Sequence, residues 1–226
     1  MFEKMQAGGN FFGYTLTRGP HFFFFGSRRV TQDDLITLFP QYEFCFLKQV
    51  HGQTVAEART FIDNEADAHF TKKPGLALVV QSADCIPILL AGEGGVCAIH
   101  AGWRGVAANI VGAAAAALPA EFKISFAAVG PHIGFNSFEV GGDVRDQLAR
   151  SCKSGDGMCR PGAPGKFYFD LKSAANAQLA AAFPGVTLGE RGDDTFTSAA
   201  FHSFRRDHES AGRQFSFVVI NSPRRA

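Results

Sequence analysis

Residues 75–105 read GLALVVQSADCIPILLAGEGGVCAIHAGWRG. Three short apolar runs stand out in this stretch, Leu76 to Val80, Ile86 to Leu90 and Val96 to Ile99. Each is too short for a helix and rich in β-branched residues, so each is expected to be a buried strand. Gly92-Glu93-Gly94-Gly95 is the turn between the last two, because glycine tolerates the positive φ of a tight hairpin. Potential metal donors mark the strand edges. Cys85 follows Ser82-Ala83-Asp84 at the first break, and His100 ends the third run. A further histidine, His51 in Lys48-Gln49-Val50-His51-Gly52, follows the apolar run Phe44 to Leu47. One thiol and two imidazoles at strand ends can converge on one point.

Composition bounds what such a point can do. The chain has 226 residues, enough for one domain spanning 1–226 with a real core. A net charge of +1 gives no reason to expect a nucleic-acid or membrane partner. The 24 phenylalanines and 25 glycines suggest a packed, loop-rich α/β protein. Five cysteines with no C-x-x-C pair, and no apolar leader over Met1 to Gly9, point to free thiols in the cytoplasm. No apolar run approaches the ~18 residues of a membrane-spanning helix.

Outward from the central stretch, Phe11 to Leu16 and Phe22 to Phe25 read as buried strands around the turn Thr17-Arg18-Gly19-Pro20, where Arg18 can meet a ligand. Thr31 caps a helix whose apolar face is Leu35, Ile36, Leu38 and Phe39, and Pro40 stops it. Gln41 to Gly52 reads as one strand, and Val55 to Phe61 as another. Glu65 to His69 reads as an acidic loop, in which Asp67 and His69 are secondary site candidates. After His100, the turn Ala101-Gly102-Trp103-Arg104-Gly105 leads to an alanine-rich helix from about Val106 to Leu118. The helix start suits an anion, and the Arg104 guanidinium adds a fork of donors for phosphate or carboxylate. Ile124 to Val129 is a strand, and Gly141 to Arg150 a helix. Cys152 to Lys166 is a polar, glycine-rich loop carrying Cys152 and Cys159. A strand at Phe167 to Asp170, a helix at Leu171 to Phe183 and a last strand at Gln214 to Ile220 complete the chain.

The donor set admits two chemistries. Zinc takes thiolate and imidazole at tetrahedral corners, and three protein ligands leave a fourth position open, the mark of a catalytic ion. Such an ion lowers the pKa of bound water to ~7. The thiolate also softens the set enough to admit copper. Alternatively Cys85 is a nucleophile with His100 or His51 as its base. The spacing of the three residues matches no compact zinc signature, and the deaminase pattern H-x-E…P-C-x-x-C is absent.

Four segments in order, Lys48-Gln49-Val50-His51-Gly52, Ser82-Ala83-Asp84-Cys85-Ile86-Pro87-Ile88-Leu89, His100-Ala101-Gly102-Trp103-Arg104-Gly105 and Val129-Gly130-Pro131-His132-Ile133-Gly134, carry a resemblance. It extends through Val140-Gly141 to Phe204-Arg205-Arg206-Asp207 and Gly212-Arg213. The chain resembles the YfiH-like, laccase-domain family of purine nucleoside phosphorylases, formerly called multicopper polyphenol oxidases. The resemblance implies an α/β/β/α sandwich with mixed sheets, similar to the catalytic domain of cytotoxic necrotising factor. It also implies zinc held by His51, Cys85 and His100, where the thiolate leaves copper as the alternative. Phosphorolysis would in addition need an anion site, for which Arg18, Arg104 and the helix start after Gly105 are the expected suppliers. The implied substrates are inorganic phosphate with adenosine, inosine, guanosine or methylthioadenosine, and the implied second activity is adenosine deamination. A cysteine-type hydrolase or peptidoglycan-precursor editing enzyme, using Cys85 with His100, is the alternative, and a copper-dependent polyphenol oxidase ranks below both. Two departures stand out: the family's S-L-N-L-G is replaced by Phe22-Phe23-Phe24-Phe25-Gly26, and its late C-T-Y by Asp194-Thr195-Phe196.

Overall fold

The computed structural model describes residues 1–58, 65–151 and 157–222. The first half of the chain runs β1 (Glu3–Ala7), β2 (Asn10–Arg18), β3 (His21–Gly26), α1 (Gln32–Leu38), β4 (Glu43–Cys45), β5 (Val55–Glu57), β6 (Ala68–Thr71), β7 (Leu76–Ser82), β8 (Ile86–Glu93) and β9 (Gly95–Ala101). There follow α2 (Trp103–Ala107), α3 (Ile110–Ala117), β10 (Lys123–Val129), β11 (Glu139–Gly141), α4 (Gly142–Ser151), β12 (Cys159–Pro161) and β13 (Lys166–Phe169). The chain closes with α5 (Leu171–Ala182), β14 (Thr187–Glu190), α6 (Phe204–Asp207) and β15 (Gln214–Ile220).

Two six-stranded mixed sheets form the centre, ordered β1-β2-β3-β15-β7-β4 and β14-β10-β8-β9-β6-β5. In the first sheet β4 runs parallel to β7; in the second β14 and β5 run parallel to β10 and β6. Their inner faces share one apolar layer, with Phe23, Phe25, Leu78, Val80 and Val218 from one sheet meeting Leu89, Ala98 and Ala128 from the other. Outside the first sheet, Phe24, Val79 and Phe217 pack on Leu35 and Phe39 of the α1 region. Outside the second, Ile86, Ile88 and Ile99 pack on Val106, Ile110 and Leu179 from α2, α3 and α5. The layer order is therefore α/β/β/α. It explains why β7, β8 and β9 are nearly continuous apolar runs: strands covered on both faces have no side to give to water.

The expected strands over the central stretch are present, and so is the turn. Gly92 pairs with Gly95, and Gly94 between them has φ 89°. Thr31 caps α1 in a reciprocal arrangement with Asp34.

Several expectations need correction. Of Gln41 to Gly52 only Glu43–Cys45 is a strand; from Val50 to Gly52 the chain turns, with His51 at φ 62°. β5 stops at Glu57, and residues 59–61 of the expected strand lie outside the described residues. The alanine-rich helix is two helices, because Asn109 takes a left-handed conformation (φ 60°) and caps α3 through the Gly112 N–H. The first begins at Trp103, ahead of Gly105. His69 lies in β6, fully buried, and burial pushes its imidazole pKa down to about 3. Cys159 opens β12, so the glycine-rich segment holds a strand, while Cys152 lies outside the described residues. β1 and β14, at the outer edges of the two sheets, had no counterpart in the sequence reading.

Phe24 packs on the face of the first sheet that is turned away from the second, its ring 5.0 Å from that of Phe39 and 5.3 Å from that of Phe217. Phe24→Ala is expected to lower unfolding free energy by about 3–5 kcal/mol in urea titrations. Metal affinity of the folded variant should match that of the parent, since Phe24 and the donor cluster belong to different layers.

Candidate metal centre

β7 belongs to the first sheet and β8 to the second, so Ala83-Asp84-Cys85 is the passage between the layers. The β8–β9 hairpin sets what Cys85 faces. Its ladder pairs Pro87 with His100 and Ile86 with Ala101, and one step further Cys85 stands opposite Gly102. A Cβ built on Gly102 would lie 3.0 Å from Cys85 Sγ and 3.1 Å from His51 Cδ2. Glycine at this position is thus what lets the thiol and the His51 ring close in. Asp84, just before the thiol, sits at φ 87°, and its carboxylate accepts hydrogen bonds from Thr195 Oγ1 (2.6 Å) and the Arg205 backbone N–H (2.7 Å).

His51 arrives by a different device. The Gln49 side chain imitates a neighbouring strand: its amide donates to the Gln81 carbonyl oxygen (2.8 Å) and accepts from the Gln81 N–H (2.7 Å). Beyond it the N–H groups of Val50 (3.3 Å), His51 (2.9 Å) and Gly52 (2.6 Å) all point at the carboxylate of Asp67. Successive N–H groups converging on an anion through a left-handed residue form a nest. Asp67 is fully buried, and its Oδ1 also lies 2.8 Å from His100 Nδ1. This one carboxylate orients two of the three candidate donors. With Nδ1 of His100 engaged, Nε2 is the nitrogen left for a metal, the arrangement in which a carboxylate holds a ligating imidazole. The acidic loop expected at Asp67 is therefore a buried structural anchor.

The donor atoms of His51, Cys85 and His100 all lie within 4.8 Å of one another, and the two imidazole rings are 4.9 Å apart and nearly perpendicular. Burial disfavours the Cys85 thiolate, but the neighbouring His100 and His51 more than compensate and bring the thiol pKa down to about 6. Burial likewise disfavours protonated His100, while Cys85 and Asp67 raise its pKa to about 9. Burial opposes the Asp67 charge too, yet His100 and the Gly52 and His51 N–H groups hold its pKa below the ordinary carboxylate value. The cluster thus presents a thiolate at neutral pH, and two imidazoles beside a thiolate suit zinc or a softer copper ion. A buried carboxylate behind His100 and a cradle that a single Cβ would fill both fit a bound cation.

The cluster opens into a cleft of about 620 Å³, within the size range of small-molecule sites. Arg104 lines it, its guanidinium 4.5 Å from the centre of the Trp103 ring. Arg205, Arg213, Phe204 and Ser82 line it as well. Arg18 is not brought there: it ends β2, with its guanidinium 4.5 Å above the Phe126 ring. Sequence reasoning missed the contributions of Arg213 and Phe204. Their only signal was membership in the terminal segments Phe204-Arg205-Arg206-Asp207 and Gly212-Arg213.

Comparison with known proteins bears on this site. A family model described as multi-copper polyphenol oxidoreductase laccase matches residues 28–221. A purine nucleoside phosphorylase of Pseudomonas aeruginosa is 39% identical over 180 residues, covering 77% of this chain and 73% of its own length. The purine nucleoside phosphorylase YfiH of Escherichia coli is 34% identical over 182 residues, with the same two coverages. Among solved structures, YlmD from Geobacillus stearothermophilus superposes with a TM-score of 0.81 at 22% identity, covering 97% of this chain and 99% of that one. At that identity the likeness speaks for the fold alone.

Two outcomes follow from the geometry. Gly102→Ala should fold with an unchanged circular dichroism spectrum yet bind metal at least ~10-fold more weakly in competition with a chromophoric chelator, because the methyl group occupies the space between Cys85 and His51. In chelator-treated protein, Cys85 should react with iodoacetamide with a rate that rises through a midpoint near pH 6. Above that midpoint the thiolate is present, and metal should suppress the reaction.

Proposed function

The chain belongs to the YfiH-like, multi-copper polyphenol oxidoreductase laccase family, and from that premise we propose that it is a zinc-dependent purine nucleoside phosphorylase acting through the single catalytic domain 1–226. The observation that carries the reading is the His51, Cys85 and His100 cluster at the foot of a cleft rimmed by Arg104 and Arg213. In phosphorolysis a phosphate oxygen forms a bond to the ribose C1′ carbon, and the electrons of the C1′–N bond leave with the purine. The chain's own residues must therefore hold an anion beside a neutral nucleoside. The exposed guanidinium groups of Arg104 and Arg213 are suited to pairing with phosphate. Asp67 keeps His100 and the Val50–Gly52 turn fixed, so that the donors do not have to reorganise during turnover. His51, Cys85 and His100 are the residues that would hold zinc, which when bound supplies Lewis-acid polarisation of an oxygen on phosphate or substrate. The adenosine, inosine, guanosine and methylthioadenosine range and the deamination of adenosine belong to the same proposal.

A second reading has its own observation. Without metal, Asp67, His100 and Cys85 form a line of carboxylate, imidazole and thiol, with the thiol brought down to about 6. That is the arrangement of a cysteine nucleophile with an oriented base. A polyphenol oxidase is less well supported, because the described residues gather one donor cluster rather than several copper centres.

Incubation with adenosine, with and without phosphate, followed by chromatography separates these chemistries. Phosphate-dependent release of adenine with ribose 1-phosphate is the expected result. Inosine alone would replace phosphorolysis with deamination. Activity that survives complete chelation would favour the cysteine nucleophile.

A further inference from the structure

Three aromatic side chains line the cleft, Trp103, Phe138 and Phe204, and they are not equivalent. Phe138 is 7% exposed and packs in the layer between the second sheet and its helices, with the Arg205 guanidinium 5.6 Å from its ring centre. Trp103 packs against the same layer and carries Arg104 on its ring. Phe204 is 44% exposed and belongs to none of the three apolar clusters. A large apolar ring left open to water inside a cleft offers its face to whatever enters.

The backbone that carries this ring is also held in place. Ser203, fully buried, caps α6 by accepting from the Arg206 N–H. The Arg206 guanidinium donates to the carbonyl oxygens of Thr195 (2.8 Å), Phe196 (3.0 Å) and Phe201 (2.8 Å). The next residue after Phe204, Arg205, gives its N–H to Asp84, which precedes Cys85. The Phe204 segment is thus tied to the residue before Cys85 by the Arg205 N–H and, through Arg206 and Thr195, by the Thr195 hydroxyl, which also donates to Asp84. The His208 ring stands edge-on to Phe204 at 6.4 Å. A second, independent sign of a ligand comes from another residue that lines the same cleft. Ser82 is 2% exposed, and its hydroxyl has no hydrogen-bond partner among the described residues. A buried hydroxyl without a partner is costly unless something completes it.

We infer that Phe204 is the stacking platform for the purine base, and that the Ser82 hydroxyl completes its hydrogen bonding on a polar group of the same nucleoside. The inference rests on the nucleoside reading of the cleft. Every base presents a π-face, so a stacking platform gives affinity without selecting strongly among purines, whereas the single Ser82 contact is directional.

The test is equilibrium dialysis of inosine with metal-loaded protein in the absence of phosphate, alongside phosphorolysis kinetics. Phe204→Ala should weaken inosine binding about 10-fold or more, and Phe204→Leu by nearly as much, because leucine restores apolar bulk but no ring. Phe204→Trp should bind at least as well as the parent. KM should rise with these losses while kcat changes little, the pattern of a contact made equally in ground and transition states. Phe204 is exposed, so all three variants should keep the parent's unfolding midpoint. Ser82→Ala should weaken inosine binding as well, with no change in the number of metal ions retained. Parental affinity in both Phe204→Ala and Phe204→Leu would overturn the platform while leaving the nucleoside reading intact. No inosine binding by the parent protein would overturn both together.

Discussion

The carboxylate of Asp67 is the interaction on which the site depends. It is buried, it is charged, and it accepts from three successive backbone N–H groups and faces His100 Nδ1. A buried charge survives only where partners replace the water it has lost. Here the partners belong to the turn that presents His51 and to the strand that presents His100. The cost of burying Asp67 therefore cannot be met unless both donors are in position. Folding of the layers and assembly of the site are one event. The third donor comes by the hairpin register instead, and it is Gly102 that lets the two construction routes meet without collision.

The layered core does the rest by being inflexible. Cys85 lies on the passage from one sheet to the other, so the distance between the sheets is also a dimension of the donor cluster. The phenylalanine-rich interior sets that distance. Close-packed aromatic and branched side chains resist a change of spacing far better than a loop could. The segment read as a departure from the family, Phe22 to Phe25, belongs to this scaffolding: Phe23 and Phe25 fill the layer between the sheets and Phe24 the layer beneath α1.

Much of this was legible in the residues, for a physical reason. Strand and turn signals are local, so Leu76 to Ile99 could be divided correctly and Cys85 and His100 placed at strand ends. What a donor faces across the molecule is not local. Asp67 looked like one acid in a polar loop because its partners are backbone N–H groups, which carry no side-chain signature. Arg18 and Arg213 are both lone arginines near turns; only packing sends one onto Phe126 and the other to the cleft. The alanine run after Gly105 promised one helix because nothing in Val106 to Leu118 breaks the periodicity except Asn109, a residue that tolerates the left-handed conformation better than most.

His69 gives the protein a one-way sensitivity to acid. Sealed within β6, its imidazole stays neutral down to about pH 3, whereas the same side chain in an unfolded chain takes up a proton below about pH 6.5. The stability contributed by keeping it neutral is complete above the unfolded value and drains away as pH falls through the interval between the two. Within that interval each unit of pH tilts the balance toward the open chain by roughly tenfold on account of this ring alone. The acid sensitivity that this ring confers therefore originates in the interior of the sheet rather than in the surface charges.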